Sequence, residues 1–175
     1  MDYIIIGTDH KLQKSDATKT GLRDMLLSIV NKREVVLIAE EVSTSKDIST
    51  FGRELIGDAK WLSIDMTTQE RKDAGIYEVL RAAVGPGYDP VTHRDIRVNP
   101  YHMRAETVRE NFWLDRIAKW CEDNQVSAGT IVITCGHNHL KFLSDKVIQR
   151  GHNVTTREYV PYDIEAEHGV FQIYP

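Results

Sequence analysis

The 175-residue sequence has little of what marks several large classes of protein. It contains only two cysteines, Cys121 and Cys135, too few for the disulfide framework of a small secreted domain. No apolar run approaches the roughly 20 residues that a membrane-spanning helix needs. Met1 leads almost at once into an apolar run, which leaves no room for a signal peptide. We therefore expect a cytoplasmic protein that has no membrane partner.

An excess of basic residues is also missing. Lysine and arginine number 22 against 26 acidic residues, and the net charge of −4 predicts no binding to nucleic acid or to an anionic membrane surface. The sequence has no internal repeat and no low-complexity segment. Its hydrophobic fraction of 41% is typical of a globular protein, so we expect residues 1–175 to form one domain. The oligomeric state is left open.

Two apolar runs, residues 3–6 and 131–133, predict strands that are buried on both faces. Each run is followed by a glycine and, three residues later, a histidine: Gly-Thr-Asp-His at 7–10 and Gly-His-Asn-His at 136–139. In an open parallel sheet, ligands bind at the carboxyl ends of the strands. The repeated Gly-x-x-His pattern therefore predicts that His10 and His139 converge at one edge of the sheet.

The rest of the sequence alternates between short apolar runs and helical spacing. Residues 35–39 and 61–64 predict further strands, whereas residues 22–30, 48–55, 76–84 and 140–148 have apolar positions at helical intervals. This order predicts an α/β fold, with a mostly parallel sheet and helices on both faces. Residues 153–160 and 170–174 are predicted to end the sheet, joined by an acidic hairpin loop.

One long segment, residues 85–102, shows neither a helical nor a strand period and contains three prolines. A structureless stretch of this length is uncommon inside a compact domain and is typical of a lid or binding loop. Its histidines and arginines would suit a polar or anionic substrate. A plain surface excursion is the alternative interpretation.

The longest predicted helix covers residues 103–125, and its core-facing stripe changes character along its length. Positions 113, 117 and 121 are apolar, but the same stripe begins with Glu106 and Glu110, and Arg109 lies beside them. The helix of a right-handed crossover begins on the carboxyl side of the sheet. We therefore expect these three charged residues to lie beside the Gly-x-x-His turns, because an inward-facing charged patch is costly unless it serves a polar site.

The strand ends together predict a hydrolytic site. His10, Glu41 and His139 could hold a divalent metal such as Mn, Co or Zn with open positions for water and substrate. Without a metal, a histidine could act as general base while a carboxylate orients it. The candidate catalytic residues are His10, Glu40, Glu41, Arg109 and His139. The candidate substrate-binding residues are Asp9, Glu110 and His137.

Two details can be predicted further. Strand alternation sends neighbouring side chains to opposite faces, so only one of Glu40 and Glu41 should enter the site. Arg109 should stabilise negative charge on a substrate oxygen, and we expect its loss to cost activity while folding changes little.

The motifs resemble those of one family. Gly-Thr-Asp-His at 7–10, the glutamates at 40–41, Arg-Glu-Asn at 109–111 with Trp113, and Cys-Gly-His-Asn-His-Leu at 135–140 are similar to the TraB/TIKI group of the erythromycin-esterase-like and ChaN-like proteins. The resemblance implies a hydrolytic site made of His10, His139 and Glu40 or Glu41 with Arg109 in support, metal-dependent in the TIKI proteases. Relatives include esterases, proteases and haem binders.

We therefore expect a metal-assisted hydrolase of a small polar, ester or peptide substrate. The alternative from another class is a non-enzymatic protein that holds a metal or haem through the same histidines. A divergent metallophosphoesterase is a further possibility, since residues 136–139 also read as Gly-His-x-His. The other strand-end signatures of that class have no recognisable counterpart in this sequence.

Overall fold

The computed structural model describes residues 1–9, 12–13, 21–42, 49–82 and 100–159. Within these residues the protein is an α/β domain whose five strands are all parallel. The predicted fold class is thereby confirmed. None of the described helices combines the length and the apolar character that crossing a membrane requires.

The strands are β1 (Asp2–Thr8), β2 (Val35–Glu40), β3 (Trp61–Ser63), β4 (Thr130–Gly136) and β5 (Asn153–Tyr159). Their order in the sheet is β3-β2-β4-β1-β5. The helices are α1 (Gly21–Lys32), α2 (Phe51–Ile56), α3 (Thr68–Asp73), α4 (Tyr77–Ala82), α5 (Pro100–Asp123) and α6 (Leu140–Gln149). Short 3-10 turns at Asp58–Lys60 and His137–His139 precede β3 and α6.

Strand alternation divides the apolar core between the two faces of the sheet. In β1, Ile4 and Ile6 pack with the buried leucines of α1 and with Phe51 of α2. Tyr3 and Ile5 of the same strand pack on the opposite face, against α5 and α6. Helices cover both faces of the central strands. Their sequences are therefore mostly apolar and do not alternate between apolar and polar residues.

The neighbouring strands β1 and β4 send their following helices to opposite faces. They pair in register from Asp2 with Thr130 to Thr8 with Gly136. The next helix after β1 is α1 on one face, and the next after β4 is α6 on the other. Such a reversal opens a crevice at the carboxyl ends of the strands, where ligands of open α/β sheets bind.

The longest helix begins earlier than its apolar pattern predicts. α5 starts at Pro100 rather than at residue 103, so residues 100–102 of the predicted lid segment 85–102 belong to the helix. Proline suits the first turn of a helix, where its missing N–H would have no intrahelical acceptor and its φ is already helical. Residues 85–99 of the proposed lid lie outside the described residues.

Of the two strands predicted to end the sheet, the structure describes only the first. Residues 153–159 form β5, which pairs parallel with β1 at the edge of the sheet. The predicted hairpin loop and second strand, residues 160–174, lie outside the described residues.

Gly7 allows the end of β1 to approach the turn that follows β4. A Cβ atom at this position would lie 3.0 Å from the Cα of His137 and 3.4 Å from the Cβ of Leu140. A glycine is therefore needed here for close approach rather than for an unusual φ.

We expect Gly7→Ala to lower the free energy of unfolding by about 1–3 kcal/mol, because the added methyl group overpacks a buried contact. Urea denaturation monitored by circular dichroism measures this change. Unchanged stability would show that the His137 turn moves aside at no cost and would contradict the proposed close packing.

Candidate active site

His139 is the centre of a buried charged cluster at the carboxyl edge of the sheet. It ends the 3-10 turn after β4 and is only 5% exposed. Its Nδ1 lies 2.8 Å from Oε1 of Glu110, and its ring meets the Trp113 ring edge-on at 4.7 Å between centroids. These two contacts from α5 fix both the position and the orientation of the imidazole.

Glu110 is held in its ionised form. It is fully buried, and besides His139 it accepts a 2.8 Å hydrogen bond from Nζ of Lys146 on α6. Burial by itself would raise the pKa of the carboxyl, but the hydrogen bonds from His139 and Lys146 outweigh burial and lower the pKa of Glu110 to about 2. Because the ionised Glu110 can only accept a hydrogen bond, Nδ1 of His139 carries a proton and donates a hydrogen bond to Glu110. Nε2 is then the nitrogen that points into the cluster.

Nε2 of His139 faces two carboxylates. It lies 3.6 Å from Oε1 of Glu41 and 3.7 Å from Oε2 of Glu106. Burial, the largest influence, disfavours a charged imidazole and lowers the pKa of His139. The Glu41 carboxylate, the hydrogen bond with Glu110 and the Glu106 carboxylate together outweigh burial, so the pKa is raised above its ordinary value of 6.5.

Arg109 joins three carboxylates that come from three separate segments. Its NH2 donates to Oε1 of Glu41 at 2.6 Å and to Oδ1 of Asp65 at 2.9 Å. Its NH1 donates to Oε2 of Glu106 at 2.9 Å. Its guanidinium carbon lies 5.0 Å from the centre of the Trp113 ring. The surrounding carboxylates raise the pKa of Arg109 despite burial, so the side chain is always charged.

Among the described residues, the charges of the cluster are close to balanced. The carboxylates are Glu41, Asp65, Glu106 and Glu110. The basic side chains are Arg109, Lys146 and Arg71, the last of which donates to Asp65 at 2.5 Å. Protonation of His139 would supply a fourth positive charge among these groups, which explains in charge terms why the pKa of His139 is raised.

The two strand-end glutamates go to opposite faces, as alternation predicts. Glu41 joins the cluster, binding Arg109 and accepting the backbone N–H of Gly136 at 2.8 Å. Glu40 lies on the α2 face, where it accepts hydrogen bonds from Thr50, from Nε1 of Trp61 at 2.5 Å and from Thr134 at 3.2 Å. Glu41, and not Glu40, therefore belongs to the group around His139.

The remaining predicted residues are placed less centrally or are not described. His10 lies outside the described residues, so its distance from His139 stays a prediction, although β1 and β4 are the parallel neighbours that the prediction requires. Asp9 and His137 are both exposed at the ends of their strands. Among the described residues, the charged first half of α5 contributes most to the cluster, which confirms its predicted inward orientation.

Sequence reasoning left one member of the cluster open and missed others. Asp65 follows β3 and is predicted equally well to be a helix cap or a ligand, whereas the sequence pattern of Lys146 is that of an ordinary surface residue of α6. His102 is buried with its Nδ1 3.9 Å from Oε1 of Glu106, one helical turn further on. His102 lies four residues before Glu106. A helix predicted to start at Pro100 would have placed the two side chains on the same face and so identified His102.

The described residues do not by themselves form a metal site. No group of three His, Cys, Asp or Glu side chains among them is arranged to hold a metal ion. The Arg109 guanidinium already binds the Glu41 and Glu106 oxygens that face His139. The predicted ligand set of His10, Glu41 and His139 includes one residue outside the described ranges, so it stays a prediction.

The burial of Arg109 changes the expectation that its loss would leave folding intact. We predict that Arg109→Met lowers the free energy of unfolding by about 3–5 kcal/mol, because Glu41, Asp65 and Glu106 would lose their shared cation while remaining buried. Urea denaturation at pH 7 measures the change. Arg81→Met is the matched control: its side chain is 69% exposed, so the loss should stay within about 0.5 kcal/mol. Equal losses in both variants would contradict the structural importance of the cluster.

We also predict that Glu110→Gln is most destabilising between about pH 4.5 and 6.5. The Glu110 pKa is about 2 in the folded protein against an ordinary 4.5, so its stabilisation is present above 4.5 and is lost as the pH falls toward 2. The pKa of His139 is raised, so its contribution is complete below 6.5 and is lost as the pH rises through the raised value.

The difference between wild type and Glu110→Gln should reach about 3 kcal/mol in that window, which corresponds to the shift of the Glu110 pKa. Urea denaturation from pH 2 to 9 gives the profile. Glu122→Gln, an exposed change on the same helix, should show no such maximum. A flat profile for Glu110→Gln would argue against an ion pair with His139.

No family model, no curated protein and no solved structure matches the chain. The resemblance to the TraB/TIKI group therefore stays an expectation based on short motifs.

Proposed function

We propose that this protein is a hydrolase of small polar or acyl-type substrates, such as esters or peptides, and that His139 is its proton-transfer residue. The observation that supports this most is the buried His139–Glu110 pair at the carboxyl edge of the sheet. A histidine whose Nδ1 is held by an ionised carboxylate presents Nε2 in one tautomer, which is the arrangement that general base catalysis needs.

The proposed reaction begins with a water molecule beside Nε2 of His139. Neutral Nε2 takes a proton from the water, and the water oxygen attacks the acyl carbon of the substrate. Glu110 stabilises the resulting imidazolium through Nδ1. The bond between the acyl carbon and the leaving group then breaks as the proton on Nε2 passes to the leaving group. This returns His139 to its neutral form and releases the carboxylic acid and the alcohol or amine.

Arg109 is the proposed donor to the negative oxygen of the intermediate. Three of its hydrogen bonds go to carboxylates, but its buried Nε–H has no acceptor among the described residues. A fixed donor in a buried site stabilises developing charge more strongly than one in water. Glu41 and Asp65 hold the guanidinium in place, so they act as positioning residues in this proposal.

A metal would add a second way to activate the water, by lowering its pKa, and this part of the proposal depends on His10. The described residues around His139 do not form a metal site without it. We also propose a cytoplasmic location, because the sequence contains few cysteines.

A screen of ester, peptide and phosphoester substrates, with and without added Mn²⁺, Co²⁺ or Zn²⁺, tests the proposal. Once a substrate is found, we expect His139→Asn to lower kcat by about 10²–10⁴, the usual contribution of a general base. His152→Asn is the matched control, because His152 stacks on Tyr3 at 5.2 Å at the start of β5, at the other end of the strands. Equal activity of wild type and His139→Asn on every substrate that is turned over would overturn the proposal.

The pH dependence offers a sharper test. Activity should rise through the raised pKa of His139, because the neutral imidazole is the base. Glu110→Gln should lower kcat and also move this rise to lower pH, since the hydrogen bond with Glu110 helps to raise that pKa. The pH profile of kcat measures both effects. A rise that stays at the same pH in Glu110→Gln would show that His139 is not the titrating group.

A further inference from the structure

A cavity lies on the α5 face of the molecule, beside the edge strand β3, and none of the residues that line it belongs to the cluster around His139. Its volume is about 710 Å³, within the range of small-molecule binding sites. It is bounded by β3, by the second half of α5 and by Arg53 of α2. The candidate active site uses the first half of α5, so the two sites occupy successive stretches of one helix.

The walls of this cavity are aromatic. Trp61 of β3 and Phe112 and Trp120 of α5 line it, and all three are half-buried rather than enclosed in the core. Trp61 is fixed by its hydrogen bond to the buried Glu40, so the ring is held in one orientation before any ligand arrives. Rigid aromatic surfaces of this kind favour flat ring compounds, which stack on them at little cost in conformational entropy.

Each cation at the rim of the cavity is paired with a carboxylate. Arg53 donates to Asp58 at 2.6 Å, Arg116 donates to Glu70 at 2.6 Å and Lys119 donates to Asp123 at 2.9 Å. Arg53 lies over Trp61 at 5.0 Å and Arg116 lies over Phe112 at 4.6 Å, so both guanidinium groups border the aromatic walls. Lys119 is exposed, and its bond to Asp123 is a surface pair that a ligand anion could replace at little cost.

We propose that this cavity binds a small flat aromatic compound that carries a negative group. The ring stacks between the tryptophans and Phe112, and the negative group lies toward Lys119, where it replaces Asp123. This site is separate from the proposed hydrolase site and does not depend on that activity.

The probe for the test is 1-anilinonaphthalene-8-sulfonate, a flat aromatic anion whose fluorescence rises when it leaves water. We expect saturable binding to the folded protein. The position of binding can be read from the indole N–H signals in a two-dimensional ¹H–¹⁵N NMR spectrum, because the chain has only three tryptophans. Trp61 and Trp120 should shift, whereas Trp113, which is fully buried beside His139, should not. A shift of Trp113 alone would place the probe at the other site and overturn the proposal.

Matched variants separate the aromatic and the ionic parts. Trp120→Ala should weaken binding about tenfold through lost stacking and burial, and Lys119→Glu about threefold to fivefold through charge reversal. Tyr101→Ala, which removes an aromatic side chain that is 75% exposed elsewhere on α5, and Lys32→Glu at the exposed end of α1 are the controls and should leave affinity unchanged. Equal losses in variants and controls would overturn the proposal.

Two further measurements complete the design. N-phenyl-1-naphthylamine has the same rings without the sulfonate, and it should bind more weakly than the anionic probe. Equal affinity would overturn the ionic part of the proposal. Sedimentation of wild type and Trp120→Ala tests for a different occupant: a dimer that becomes a monomer in the variant would assign the cavity to a second copy of the chain and would overturn a small-molecule site. We expect the same sedimentation for both.

Discussion

The buried guanidinium of Arg109 is the contact on which the proposed site depends most. It binds Glu41 after β2, Asp65 after β3 and Glu106 on its own helix, and it packs on Trp113. Each carboxylate would be costly to bury alone, and a fork-shaped cation can bind several of them at once with directional hydrogen bonds. Arg109 therefore ties the ends of two strands to α5 and sets the distance at which Glu41 and Glu106 face His139.

The direction of the chain explains why this cluster forms where it does. In a parallel sheet with right-handed crossovers, every strand delivers its last residues to one edge and every crossover helix begins there. α5 begins at that edge with polar residues and becomes apolar only as it runs back along the sheet. The amphipathic stripe of one helix thus changes function along its length, from lining a charged cluster to packing the core.

The same helix has a second surface, which packs against the edge of the core and borders the cavity beside β3. Phe112, Arg116 and Trp120 recur at four-residue spacing on it and face the cavity beside β3. Arg116 also donates to the backbone carbonyl of Asp65 at 3.1 Å. One hydrogen bond therefore links a wall of the cavity to the segment that holds Arg109, and it gives the two proposed sites a physical connection.

Local periodicity of apolar and charged residues was enough to predict the parallel α/β fold, the inward orientation of Glu106, Arg109 and Glu110, and the separation of Glu40 from Glu41. Which groups bind one another depends instead on how distant segments meet in the folded chain. Asp65 and Lys146 entered the cluster through pairings between segments 44 and 36 residues away from their partners, which no local pattern encodes. The pKa of His139 likewise depends on the tertiary structure, since the carboxylates that raise it come from the end of β2 and from α5.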